Sequence, residues 1–290
     1  MKGKKMEKYV IVTESSADLS HNTIEQNHIQ ILPMHVAIEN KDYLDGSISI
    51  EELCSYYDKT GKTPTTSAVS PYEYQQVFEK IGKENPEAII IHVCYSSPVS
   101  NTFQNSLIAS EGMKHIYHID SFNVSAGLAF IVMKTIQLIE KHPDIIPKEL
   151  VERVKAYAAL TRFSFVPGNL DYLRAGGRVS NAQYLGASIL RLKPLIELVN
   201  GKLISTRKHR GSVRNIAQQM VKDFFSKFKI DKSEIYLIHT SRVAEELKAE
   251  IEKHVRQFGV KEVVWLQAGC VITTHAGPGG IGIAGMEEAL

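Results

Sequence analysis

The chain's 290 residues are long for one core and comfortable for two domains. Its hydrophobic fraction of 43% is that of an ordinary globular protein, and a formal net charge of +2 gives no global argument for nucleic acid or an acidic surface. Three cysteines, Cys54, Cys94 and Cys270, lie far apart with no C-x-x-C pair, which argues against a disulfide framework and a zinc cluster and suits a reducing compartment. Residues 1–8 are basic, but the apolar run 9–12 behind them is too short for a secretory signal. No stretch approaches the ~20 apolar residues of a transmembrane helix. The expectation is a soluble, cytoplasmic protein.

Residues 9–12 read as a buried strand and 29–38 as a second extended segment. Ser49-Ile50-Glu51-Glu52 is a capping box that opens a helix through Lys59. Ser70-Pro71-Tyr72-Glu73 is a stronger start, with an N-cap serine, proline at the first helical position and glutamate at the third; that helix should run to about residue 83. The apolar run 88–93 reads as an interior parallel strand. Ser100 opens a helix through Ser110, 115–120 returns as a strand, and 125–141 is a long apolar helix. This alternation predicts right-handed βαβ units on a parallel sheet, a Rossmann-like α/β domain over residues 6–160. His142-Pro143-Asp144 breaks the pattern, and 148–160 is an amphipathic helix placed to bridge two domains. Residues 194–199 and 202–206 flank Asn200-Gly201, a two-residue hairpin signal. With strands at 235–240 and 261–266 and amphipathic helices before and between them, residues 161–290 read as an α+β domain.

Four polar motifs each sit at the end of a predicted apolar strand. They are Thr13-Glu14-Ser15-Ser16-Ala17-Asp18, Thr65-Thr66-Ser67-Ala68-Val69-Ser70, Ser96-Ser97-Pro98-Val99-Ser100 and Thr274-His275-Ala276-Gly277-Pro278-Gly279. In open α/β sheets ligands bind beyond the carboxyl ends of the strands, and hydroxyls gathered near helix N-termini suit a carboxylate or phosphate head group. Rival motifs fail on context. Gly61-Lys62-Thr63 has Tyr56 where a P-loop needs its first glycine. Gly277-Pro278-Gly279-Gly280-Ile281-Gly282 lacks the frame of a dinucleotide fold and reads as a tight turn into a final strand. Gly186-Ala187-Ser188-Ile189-Leu190 lacks the last glycine of a nucleophile elbow. His115 and His118, three apart on a strand, face opposite sides, so no metal site is expected. A Ser97–His275 hydrolase pair stays open beside the plainer reading of His275 as a ligand-orienting group. Arg207, Lys208, Arg210 and Arg214, with His209, are either a solvated face or a docking patch for an acidic or phosphate-bearing partner. Arg174 and Arg178 flank Ala175-Gly176-Gly177, which sets two guanidiniums near one rim.

In this order and spacing the motifs resemble the DegV family of bacterial lipid-binding proteins. The resemblance rests on residues 11–19, 66–71, 96–104, 120–127, 173–180, Lys193-Pro194-Leu195 and 274–279, and so covers nearly the whole chain. The sequence departs from the family's usual pattern at Glu14, where Asp is common, and at Ala68, where Gln is. Pro98 and Asn101 stand where the family has glycines, and Ala276 replaces a frequent Thr.

The resemblance implies a two-domain fold with one long-chain fatty acid, such as palmitate, held between the domains and no other cofactor. It implies a non-catalytic binding subunit that presents the fatty acid to an ATP-binding fatty acid kinase subunit, giving an acyl phosphate for phospholipid synthesis. The carboxylate would be held by Thr66, Ser67, Ser96, Ser97, Thr274 and His275, with Ser16 and Gly277 nearby. Arg174, Arg178 and Arg207 would meet the partner at the rim. The alternatives are a serine-dependent lipid hydrolase or acyl transferase, and a passive lipid carrier or sensor.

Overall fold

The computed structural model describes residues 8–179 and 192–288; residues 1–7, Ser180 and the serine-containing segment 186–190 lie outside the described residues. The first strand, β1 (Tyr9–Glu14), leads through a 3-10 turn (Ser15–Ala17) and α1 (His21–Gln26) into β2 (Gln30–Leu32) and β3 (His35–Ile38). Next come β4 (Lys41–Leu44), α2 (Ile50–Thr60), β5 (Thr65–Ser67) and α3 (Pro71–Glu84). Ser49 accepts from the Glu52 amide, and Ser70 and Glu73 complete a reciprocal capping box behind Pro71. The chain continues through β6 (Ile89–Cys94), α4 (Thr102–Ala109), β7 (Ile116–Asp120), α5 (Ser125–Lys141) and α6 (Pro147–Leu160).

Strands β2, β1, β6 and β7 form a four-stranded, all-parallel sheet in that order. Alternation along the strands divides its two faces. Ile11, Ile91 and Val93 pack toward α5, whereas Val12 and Ile90 pack toward Tyr74 and Phe78 of α3. The extended segment 29–38 divides into β2, in this sheet, and β3, which joins a separate antiparallel sheet of order β4-β3-β5. His115 lies outside β7, at φ +63°, and His118 on the strand meets His92 of β6, Nδ1 to Nδ1 at 2.9 Å.

The second half opens with β8 (Thr161–Val166), α7 (Leu170–Gly176) and the hairpin β9 (Leu192–Val199)–β10 (Lys202–Arg210), turning at Asn200-Gly201. It continues with α8 (Val213–Lys227), β11 (Glu234–His239), α9 (Glu245–Arg256), β12 (Glu262–Gln267), α10 (Cys270–Ala276) and β13 (Ile281–Met286). The six strands form one mixed sheet of order β10-β9-β8-β13-β11-β12. One face carries α8 and α9 over Leu195, Ile235, Leu237 and Ile283. The other presents Phe163, Phe165, Tyr236 and Ile238 to the same cluster that holds α5 and the parallel sheet. α5 therefore lies between two sheets. This explains why it is apolar on all sides, from Ala126 to Val132, and lacks the single stripe of a surface helix.

Two of the four polar motifs do not sit at strand ends. Thr65–Ser67 is itself the short strand β5, and Thr274-His275 is the last turn of helix α10. α10 reaches from the second half to touch α2, β3 and β5 of the first. That crossing brings these two motifs together.

Candidate functional site

Between the two sheets lies a small cavity lined from both halves of the chain. Phe163, Phe165, Leu203, Ile238 and Ile272 line its second-half wall, and Tyr95, Val99 and Val124 line the first-half wall. Its walls are overwhelmingly apolar. Arg178, His275, Tyr95 and Val99 also line a small polar recess that includes Thr66, Ser67 and Ser100. That recess shares Thr66, Ser67, Val99 and Arg178 with an open outer cleft containing Ser97, Pro98 and Asn101. An apolar depth thus adjoins a polar outlet through shared walls.

His275 is the centre of the outlet. Its Nε2 lies 2.8 Å from Thr66 Oγ1, while Nδ1 is buried without a hydrogen-bond partner and faces Gly176, where an added Cβ would fall 2.3 Å away. Burial and the Arg178 charge push its pKa down to about 3, so the ring is neutral at pH 7. A bare acceptor is cheaper to bury than a bare N–H, which assigns the proton to Nε2, donating to Thr66 Oγ1. The Thr66 O–H is then free to donate to a ligand. Arg178 is anchored through Nη1 to Gly176 O at 2.7 Å, which holds its cation beside the imidazole.

α10 is held at its other end by two carboxylates of the first half. Asp18 Oδ1 accepts from Gly269 N at 2.8 Å, and Asp45 Oδ1 accepts from Cys270 N at 2.9 Å. Asp18 Oδ2 accepts from Ser125 Oγ, which lies on the cavity wall. Burial, with Asp45 nearby, raises the Asp18 pKa well above its ordinary value; burial also raises that of Asp45.

The predicted residues divide by where their polar atoms go. Thr66, Ser67, Ser97, His275 and Arg178 converge on the outlet. Ser97 is exposed there, close to the place anticipated, and Arg178 stands nearer the cavity than a rim position requires. Ser96 is buried, and its hydroxyl is committed to Gly201 O at 2.7 Å, at the tip of the β9–β10 hairpin. The Thr274 hydroxyl bonds back to Cys270 O within its own helix. Ser16 is buried with an unpartnered hydroxyl, outside the cavity lining. Gly277, at φ +70°, packs against Asn169 and gives its carbonyl to Thr240 Oγ1. Arg174 pairs with Asp171 on the surface. Arg207 lies on β10, paired with Asp223 at 2.7 Å, in a separate cleft with Lys208 and Arg210. Sequence reasoning missed Tyr95, Val124 and Ser125 as cavity walls. Asp18 and Asp45, which hold α10, it also missed; of these only Asp18 lay within a quoted motif.

For metal binding, Glu14, His92 and Cys94 are the grouping among the described residues whose ligand atoms lie within 4.8 Å of one another. All three are fully buried, and Glu14 already accepts from His92, Tyr74 and the Tyr95 amide.

The chain is 33% identical over 284 residues to a DegV domain-containing protein of Caldanaerobacter subterraneus subsp. tengcongensis, covering 96% of this chain and 98% of that one. Its fold matches a DegV family protein from Thermus thermophilus described as fatty acid binding, with TM-score 0.86, 22% identity, and coverage of 97% and 100%. It also matches DegV, a fatty acid binding protein from Bacillus subtilis, with TM-score 0.80, 24% identity, and coverage of 98% and 100%. A family model described as "uncharacterised protein, DegV family" matches residues 8–288, and with that near-complete match the chain belongs to the DegV family.

Proposed function

We propose that this protein holds one long-chain fatty acid, such as palmitate, with its acyl chain between the two halves and its carboxylate at Thr66, Ser97, His275 and Arg178. The observation that carries the reading is an apolar cavity that shares Tyr95, Val99, Arg178 and His275 with an adjoining polar recess. Burying about fifteen methylenes at ~0.8 kcal/mol each gives on the order of 12 kcal/mol gross, before ordering costs. Retention is then the work of the tail, and the head group needs orientation more than affinity. The fatty-acid-binding relatives support the same ligand class.

The finer reading is that the protein is a cytoplasmic, non-catalytic subunit, its halves acting as two domains, that presents the carboxylate to an ATP-bearing fatty acid kinase subunit. The acyl phosphate so formed would feed phospholipid synthesis. Arg178 at the outlet, with Arg174 and Arg207 on the surface, would meet that partner. A hydrolase centred on Ser97 has less support, because His275 Nε2 is bonded to Thr66 and its Nδ1 has no orienting partner.

Native mass spectrometry before and after organic extraction tests the ligand. A stoichiometric fatty acid is expected, and added palmitate should raise the Tm of the extracted protein; neither result means the ligand is wrong. Adding the kinase subunit and ATP tests the partner. Arg207→Ala should retain fatty acid yet form less acyl phosphate, with the deficit sensitive to salt. Equal rates for wild type and variant place the docking surface elsewhere, and release of an acyl chain from an ester by this chain alone selects the hydrolase.

A further inference from the structure

The loop that leaves β6 is pinned at three consecutive amides. Tyr95 N donates to Glu14 Oε2 at 2.9 Å, Ser96 N to Asn123 O at 3.0 Å, and Ser97 N to Asp120 Oδ1 at 3.3 Å. The next residue, Pro98, has no amide proton. The amides of Val99 and Ser100 both turn back to Ser96 O. Every N–H from 95 to 100 is therefore consumed within the protein, and the loop offers a ligand its hydroxyls alone. Two of the three pins are carboxylates at the ends of β1 and β7, the strands that flank β6.

Glu14 is built into its place. It is fully buried, and its other acceptor positions are filled by Tyr74 Oη and by His92 Nε2 at 2.6 Å. Burial alone would raise its pKa, but the His92 charge and the bonds from His92, Tyr74 and Tyr95 outweigh that and hold it below the ordinary value. The far side of His92 meets His118, which burial and His92 push down to about 3. A neutral His118 accepts at Nδ1 and donates from Nε2 to Ser110 Oγ, 2.9 Å away on the residue that ends α4. The chain of contacts runs from the Tyr95 amide through the strand interior to α4, which begins where the loop ends. The network thus ties the first amide of the loop to the C-terminal end of α4, the helix that follows the loop.

We propose that Glu14 and Asp120 are positioning residues for the head-group site: they fix the backbone of Tyr95 and Ser97, and so place the Ser97 hydroxyl and the Tyr95 ring against the ligand. The proposal rests on the fatty-acid reading above. Neither carboxylate touches the ligand; each acts through an amide of the loop.

The test compares palmitate with hexadecanol, which has the same tail and no charge, in wild type, Glu14→Gln and Asp120→Ala. Both Glu14 oxygens accept from donors, so the amide of Gln must break one bond, whereas Asn at 120 would keep the acceptor and only Ala removes it. Each variant should weaken palmitate about tenfold, the loss expected for a misplaced hydrogen bond to a charged acceptor, and hexadecanol by less than twofold. The Tyr95 amide proton should resonate far downfield in wild type and move upfield in Glu14→Gln, with Ser97 responding likewise in Asp120→Ala. If Glu14→Gln fails to fold, Asp120→Ala at the half-buried end of β7 carries the test alone. Parallel losses for both ligands, or an unchanged palmitate affinity, overturn the proposal. A wild type that binds neither ligand instead refutes the fatty-acid reading, whatever the amide resonances do.

Discussion

At His275 the imidazole is caught between a hydroxyl, a glycine and a guanidinium, and each contact has a measurable consequence. Gly176→Ala should drive the ring off Thr66, because the new Cβ would lie 2.3 Å from Nδ1 of the imidazole. Its fatty acid affinity should fall to that of His275→Ala; an affinity equal to wild type would show that the ring is not needed where it stands. The same residue sets an acid limit on stability. His275 and His118 both have pKa values pushed down to about 3, against 6.5 in an unfolded chain. Between those values the unfolded state binds protons that the folded state refuses. Their contribution is thus intact above pH ~6.5 and is lost as pH falls toward 3, at up to about 1.4 kcal/mol per pH unit for each histidine. Urea unfolding from pH 7 to 4 should show this slope, and His118→Gln should flatten it; an unaltered slope assigns the acid loss to other groups. His275 was marked as a candidate from its motif. Its partner was not, because 209 residues separate it from Thr66.

At the scale of elements, α10 decides the site. It has only seven residues, too few to show a helical period in the sequence, and the Gly-Pro pair behind it reads equally well as a turn after a strand. β4 and β5 were missed for a related reason. Their sequences, Lys41-Asp42-Tyr43-Leu44 and Thr65-Thr66-Ser67, carry little apolar alternation and become strands by pairing with β3. α3, by contrast, was legible to within a residue, since its cap, proline and glutamate all lie within four positions. The grip of Asp18 on the start of α10 has a sign that can be checked. Its raised pKa means the folded state keeps a proton that the unfolded chain gives up above pH ~3.8, so this group's contribution falls as pH rises through the folded pKa. Asp18→Asn can still accept from Gly269 and face Ser125 without a buried charge. Relative to wild type it should gain stability at pH 8 and gain none at pH 3.5, as read by Tm at the two pH values. A loss at both would mean that the charge itself holds the helix.

Among the described residues the four- and six-stranded sheets close over the buried helix α5, and a third, three-stranded sheet completes the fold. Within the six-stranded sheet the seam between β8 and β13 is tight where the loop after β8 meets the turn before β13: a Cβ on Gly168 would fall 1.8 Å from Pro278 O, and both partners are backbone. Gly168→Ala should therefore cost about 3 kcal/mol or more in denaturant unfolding, at the upper end for overpacking; a loss below 1 kcal/mol would show a seam that yields. By itself the sequence determined the parallel sheet, the hairpin, the long apolar helix and the identity of the motifs, because caps, turns and hydrophobic runs are local and act over a few residues. It also marked Thr66, Ser67, Ser97, His275 and Arg178. Only the tertiary structure decided that Ser96 and Thr274 spend their hydroxyls on backbone, that Arg207 lies in a separate cleft, and that Asp18 and Asp45 anchor α10. The reason is physical: a hydroxyl or carboxylate is chemically the same in any motif, and its partner is whatever group the packing of distant segments brings within hydrogen-bonding distance.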